Sequence, residues 1–340
     1  MGCCAQDEHI NPAARWLPKV FGILLALVGG YILLFGLPDQ DRSSRLTWRK
    51  LEVADRGTAG FGDPAPAGPA DRLIRYRVSQ GERAELLLDV AEYHNSRQQP
   101  ARAIVYRAPN GVERSDGKLR HDLWQEAIAA IKDHVPADAL FLGWWDNGQR
   151  IAYGSGREVW SAAPVRALYR DASQRSLWNE VAGGYVEDEA NLRQLARWLA
   201  MDADQALGEM AARFQRRPVY VLVCLDDMAR LGEIEAMAGA ALPFEMRLFP
   251  AADNLHGQVA TVKRWAAEGG TGNYLVQQLS TGEVRAWRIS TEQGARTLLA
   301  RLLPFTSSLA KPLDRVTLVY QSAWGGYLSI YRADFAAASP

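Results

Sequence analysis

Trp144, Trp145 and Asp146 stand together, and they are the residues of this chain whose types and spacing could do chemistry. Two large rings beside one carboxylate can grip a small polar group. The rings supply apolar walls and the carboxylate accepts a hydrogen bond. Arg150 and Arg157 follow closely enough to line the same rim. A structural reading competes with this one. A tryptophan pair can be pure core, and the aspartate can cap a turn with Asn147-Gly148. The residues alone leave the two readings balanced.

The flanking sequence says what must position them. Leu119, Leu123, Ala127, Ile128, Ile131 and Val135 recur at helical spacing, so an amphipathic helix packs one face inward and stops at Pro136. Ala139 to Gly143 is an apolar run of strand length. The tryptophan pair then stands where a buried strand emerges into a loop, a common place for binding groups in α/β folds. Further along, Leu73–Val78, Ala103–Arg107, Val219–Cys224, Met246–Phe249, Tyr274–Leu279, Val284–Ile289, Val316–Gln321 and Tyr327–Tyr331 read as strands. Asn110-Gly111 reads as a turn, and Trp324-Gly325-Gly326 as the turn of a hairpin. Glu189–Ala200, Gln205–Phe214, Val259–Ala267 and Glu292–Leu303 read as helices, as does a segment through Ala238 with Asp226 as its N-cap. This alternation predicts the α/β class: a mixed sheet with flanking helices and an antiparallel edge.

That domain is preceded by an expected membrane anchor. Val20 to Leu37 is uncharged and apolar, just long enough to span a bilayer, and no small-residue cleavage site follows it. Gly22, Ala26 and Gly30 fall four apart, a ridge suited to helix pairing and hence to a dimer through the span. Thr58 to Ala70 is rich in proline, glycine and alanine, as linkers are. The expected organisation is therefore a tail (1–19), one transmembrane helix (20–37), a linker (38–71) and a soluble α/β domain (72–335).

Composition narrows the function classes. The 340 residues are 48% apolar, enough for a sizeable core, and the formal charge is zero, which leaves no general footprint for nucleic acid. Three cysteines, two of them adjacent near the N-terminus, exclude a disulfide framework. No C-x-x-C-H occurs, and the five histidines fall in no metal spacing, so neither cofactor nor metal is expected. Gly269-Gly270-Thr271-Gly272 lacks the lysine of a phosphate loop and follows a helix, so it reads as a cap and turn. Asp226-Asp227 reads as a helix start, and Cys224 as a small buried hydrophobe. No G-x-S-x-G is present. The chain offers no catalytic set.

Two resemblances extend this reading. Over Leu123 to Arg157 the chain resembles the soluble domain of the catalytic subunit of oligosaccharyltransferase, whose WWDYG motif stands here as Trp144-Trp145-Asp146-Asn147-Gly148, with Asn147 in place of tyrosine. In that family the Trp-Trp-Asp group binds the acceptor peptide by a serine or threonine hydroxyl, which implies a peptide-gripping role for Trp144, Trp145 and Asp146. The family's multi-span catalytic region has no counterpart in this sequence. The LFLGWWDNGQRI, TLLARLLPF and VYQSAWGGYLSIYR segments, with the single span and the proline-rich linker, resemble the hydroxylamine oxidation protein HaoB family. This second resemblance implies a non-redox accessory or assembly protein whose partner is hydroxylamine oxidoreductase or another periplasmic polypeptide. It also implies a single pass through the inner (cytoplasmic) membrane with the soluble domain periplasmic. The charges flanking the span favour the opposite orientation, but long domains cross largely regardless of charge. An alternative from another class is a reduced glycosyltransferase-related protein acting on a glycan or peptide.

Overall fold

The structure, a computed structural model, describes residues 46–335 apart from 57–67, 81–83, 107–115 and the single positions 170, 187, 216, 253 and 280. It is a mixed α/β fold of three sheets with flanking helices. The first sheet is an antiparallel meander of β1 (Leu46–Asp55), β2 (Arg72–Gln80), β3 (Ala84–His94) and β4 (Pro100–Val105) in sequence order. Helix α1 (Asp116–His134) leads to the central sheet, whose strands are β5 (Leu140–Leu142), β6 (Glu158–Val159), β7 (Val219–Cys224), β11 (Val316–Gln321) and β12 (Leu328–Ala333). Their spatial order is β11-β12-β7-β5-β6. β5 runs parallel to β6 and β7, whereas β12 is antiparallel to β7 and β11. The antiparallel edge is therefore as expected. A third sheet, β8 (Phe244–Phe249), β10 (Val284–Ile289) and β9 (Tyr274–Gln278), carries helix α7 (Leu255–Glu268).

The other helices of eight or more residues are α2 (Trp145–Ser155), α3 (Ala172–Val181), α4 (Ala190–Ala200), α5 (Ala203–Phe214) and α6 (Leu231–Ala238). One continuous core joins the first sheet to the central one through Tyr76, Val90, Ile131, Phe141, Trp145, Trp178 and Leu222. β5 and β7 are buried at every position, so they read as unbroken apolar runs.

Several expectations need correction. Residues 38–71 are not linker throughout: Leu46–Asp55 is a strand paired antiparallel with β2. The apolar Leu51 and Val53 are exposed like its polar positions, and this hides its alternation, while a bulge at Lys50–Glu52 breaks the period. Strand β3 and helix α3 were not anticipated. The tryptophan pair does not enter a loop; Trp145 begins α2. Asp226 caps no helix. It lies in a 3-10 segment, Leu225–Arg230, and the α-helix starts only at Leu231. The expected helix Glu292–Leu303 is two short ones, Glu292–Ala295 and Leu298–Leu302, because the Thr297 hydroxyl starts the second by accepting from Ala300 N–H. The span at 20–37, its dimer ridge and the Asn110-Gly111 turn lie outside the described residues. Among those described, no helix is long and apolar enough to cross a membrane.

Candidate functional site

The Trp-Trp-Asp segment occupies the junction between the C-terminal ends of β5 and β7 and the face of β4. Trp144 keeps an extended ψ of 155° and accepts from Gly148 N–H at 2.9 Å, which closes the first turn of α2. Gly148 is obligatory there, because a Cβ would lie 1.9 Å from the Ser161 carbonyl oxygen. The helix ends at Gly156, whose φ of 69° is the left-handed cap that glycine adopts without strain.

The side chains turn inward. Trp144 and Trp145 are 1% and 0% exposed, and Asp146 is 5% exposed, so they do not form the walls of an open cleft. Their polar atoms meet partners far away in sequence. Both indole N–H groups donate to Glu233 Oε2, at 2.9 and 3.1 Å, while Arg230 Nη1 and the Tyr169 hydroxyl donate to Glu233 Oε1 at 2.9 and 3.1 Å. Arg230 also reaches Asp146 Oδ2 at 3.3 Å, and Arg150 Nη1 reaches the same oxygen at 3.2 Å. The Arg230 guanidinium lies 5.0 Å from the Trp145 ring centre and 5.3 Å from that of Trp178. These contacts satisfy buried charge at both ends, which burial of ions demands.

A second lobe adjoins the first. Asn147 Nδ2 donates to Asp227 Oδ1 at 2.8 Å and Cys224 N–H donates to Asp227 Oδ2 at 2.8 Å. Arg150 Nη1 donates to Asn147 Oδ1 at 3.0 Å, joining the lobes. Asp226 accepts from Tyr106 at 2.8 Å, from Arg120 Nη2 at 3.0 Å and from the Tyr327 hydroxyl.

Burial and charge set the protonation states. Burial pushes the Asp146 carboxyl up, but Arg230 and then Arg150 outweigh it and hold the group below the usual carboxylate range. Asp227 has no arginine against it. Burial, with Asp146 and Asp226 nearby, pushes it up to about 8, although the hydrogen bonds from Cys224 N–H and Asn147 pull the other way. Burial and then Asp227, with Asp226 and Asp146 behind it, raise the Cys224 thiol well above its ordinary value, so it is a buried neutral group.

Of the five residues expected at the site, Trp144, Trp145, Asp146 and Arg150 are brought together. Arg157 is not: its Nη2 donates to Val135 O at 2.9 Å, tying the end of α1 to the end of α2. The residues that complete the centre, Glu233, Arg230, Tyr169, Tyr106 and Asp226, were outside the expected set. Three charges, Arg230, Glu233 and Glu235, inside the otherwise apolar stretch Met228–Leu242 are the available signal. A small cavity of about 30 Å³ lies beside the centre between α1 and α2, lined by Tyr106, His121, Trp124, Gln125, Arg150 and Tyr153. Among the described residues no set of histidine, cysteine, aspartate and glutamate is placed to hold a metal ion.

Known proteins compare as follows. A family model described as HaoA-associated protein HaoB matches residues 15–333. The C-terminal globular domain of oligosaccharyltransferase from Archaeoglobus fulgidus is similar at 13% identity and a TM-score of 0.31, covering 62% of this chain and 96% of that one. The C-terminal domain of C. jejuni pglb is similar at 10% identity and a TM-score of 0.35, covering 62% and 98%. No curated protein matches the chain.

Proposed function

Because the chain belongs to the family of HaoA-associated protein HaoB, we propose that it is a membrane-anchored, non-catalytic accessory protein of hydroxylamine oxidation whose partner is hydroxylamine oxidoreductase. The observation that carries this reading is the extent of the match, residues 15–333, which takes in the apolar run 20–37 together with the described fold. That run anchors the protein in the inner membrane, and the folded domain stands in the periplasm.

The chemistry of the centre supports a binding role over turnover. Asp146 and Glu233 are each committed to buried arginines, and Asp226 to Arg120 and two tyrosines, so these carboxylates brace the fold. The Trp-Trp-Asp segment acts as a buried frame, and the face where α1 and α2 meet is the part offered to a polypeptide.

Co-purification tests the reading. The full chain, carrying an affinity tag at its C-terminus, should retain hydroxylamine oxidoreductase after detergent extraction and washing. Loss of the oxidoreductase at the same step as an unrelated periplasmic protein contradicts the partner. A reporter active only outside the cytoplasm, fused after Pro340, should be active; activity of a cytoplasm-only reporter there contradicts the orientation.

A further inference from the structure

The first sheet carries a row of side chains that the charged centre does not use. β1 pairs with β2 so that Arg49 stands opposite Arg77, and β2 pairs with β3 so that Arg77 stands opposite Leu87. Residues directly opposite share a face, so the three form one row across three strands. Leu46, Ile74, Tyr76, Val78 and Leu88 point to the other face, into the core. Further along the outer face, Leu73, Ala91 and Ala103 pack with Tyr153. The row therefore lies on the uncovered half of the outer face. Arg49 is exposed there, Arg77 is half-buried, and Leu87 is 50% exposed.

Like charges directly opposite one another destabilise a sheet. The adjoining row settles its charge internally: Arg75 donates to Asp89 at 2.8 and 2.9 Å, and Glu52 stands opposite on β1. In the row of Arg49 and Arg77 the strand opposite Arg77 brings a leucine instead of a carboxylate. Neighbouring guanidinium groups are the donors of choice for a phosphate, whose oxygens they bind in pairs. An exposed leucine beside them suits the boundary where lipid phosphates meet acyl chains. A small soluble anion would leave that leucine in water.

The origin of the chain favours the same source. β1 begins at Leu46 and the apolar run ends at Leu37, so eight residues separate them. Even fully extended, that segment reaches only about 30 Å. An anchored chain thus holds this end of the sheet near the bilayer, and the tether lets individually weak contacts persist. The inner face at this end is packed into the core, which leaves the outer face for lipid.

We propose that the row of Arg49, Arg77 and Leu87 rests on the membrane surface, the two arginines sharing the phosphate of an anionic phospholipid and Leu87 entering the headgroup boundary. The proposal rests on the membrane-anchor reading above and adds to it the face and the lipid.

The test uses the full chain in vesicles. Cys3→Ser and Cys4→Ser leave Cys224, which is buried, and a nitrobenzoxadiazole dye is placed on Ser79→Cys, on the same face two residues from Arg77. Lipid with a nitroxide headgroup should quench the dye in vesicles of equal parts phosphatidylcholine and phosphatidylglycerol. Quenching should be several-fold weaker in phosphatidylcholine alone. Arg49→Gln should lower the ratio of docked to undocked protein about fivefold, the effect of one basic side chain at an anionic surface, without lowering the melting temperature. Leu87→Gln should weaken quenching in both kinds of vesicle. Flotation after an alkaline wash reports the anchor separately. A protein that floats, yet is quenched equally in both vesicles and in Arg49→Gln, would keep the anchor and overturn the face. A protein that washes off would overturn the anchor and this proposal with it. Quenching reversed by inorganic phosphate at matched ionic strength would assign the row to a free anion and overturn the lipid. A lower melting temperature in Arg49→Gln would make that arginine a brace of the sheet, which also overturns the proposal.

Discussion

The centre around Trp144, Trp145 and Asp146 and the sheet of β8, β10 and β9 solve the same packing problem by opposite means. The sheet is held by a small apolar cluster of Phe249, Val262, Val284 and Ala286, with its ion pair, Arg288 to Glu245 at 2.6 Å, at the margin, where Arg288 lies over the Trp265 ring and Glu245 is half-exposed. The centre instead places Arg150, Arg230, Asp146 and Glu233 inside the core, each less than a tenth exposed. Apolar packing tolerates loss in proportion to the atoms removed. A buried charge network is brittle, since removing one member strands the others. Such networks fix geometry, and here they fix Arg150 beside the cavity.

The sharpest break of that contrast is at Glu233, which accepts from Trp144, Trp145, Tyr169 and Arg230. Glu233→Gln keeps the shape but sets an amide N–H against donors and leaves Arg230 with Asp146 as its remaining carboxylate. Urea unfolding should show a loss of about 3–5 kcal/mol. Trp145→Ala should cost a similar 3–5 kcal/mol, because a fully buried ring leaves a cavity.

Asp227 sharpens the comparison through pH. Its folded pKa of about 8 lies above the unfolded carboxylate value, so between about 4 and 8 the folded state holds a proton that the unfolded state has released. Its contribution to stability is therefore greatest near pH 4, falls as pH rises, and levels off above about 8. Asp227→Asn removes that slope. The variant should gain on the parent protein as pH rises from 5 to 8, by up to about 1.4 kcal/mol per pH unit. A gap independent of pH would show that Asp227 is ionised throughout.

In the sheet the effects should be smaller. Val262→Ala should cost about 1.5–2.5 kcal/mol, the transfer of two methyl-sized groups plus a small cavity. Glu245→Ala, at the half-exposed end of the Arg288 pair, should fall within about 1 kcal/mol. A larger loss there than at Glu233 would invert the comparison.

How far the sequence discloses these two regions follows from the range of their contacts. Helix α1, β5, β7 and the strands of the third sheet follow from local periodicity, and they stand within a few residues of where that periodicity places them. Strand β1 escapes because its paired neighbour lies across a proline-rich segment and only two of its residues are fully buried. The centre is harder to read. Trp144, Trp145 and Asp146 look like a binding triplet because their partners at Glu233 and Arg230 lie 84 to 89 residues away. Nothing in the local spelling distinguishes an indole facing a ligand from one facing Glu233. Arg150 was legible as a site residue, but its placement depends on the rings of Trp124, one helix earlier, and Tyr106, which lie 5.3 and 4.7 Å from its guanidinium carbon.

The account's central claim is that this protein binds hydroxylamine oxidoreductase through the face the charged centre supports. It is tested most directly by the Kd between the oxidoreductase and the full chain in lipid nanodiscs, measured for the parent and for Gln125→Ala, at a half-buried residue beside the cavity between α1 and α2, alongside their melting temperatures. The account predicts saturable binding by the parent and binding weaker by about tenfold in Gln125→Ala, the worth of one hydrogen bond, with little change in melting temperature. No binding by the parent, or equal Kd values for the two proteins, would contradict it.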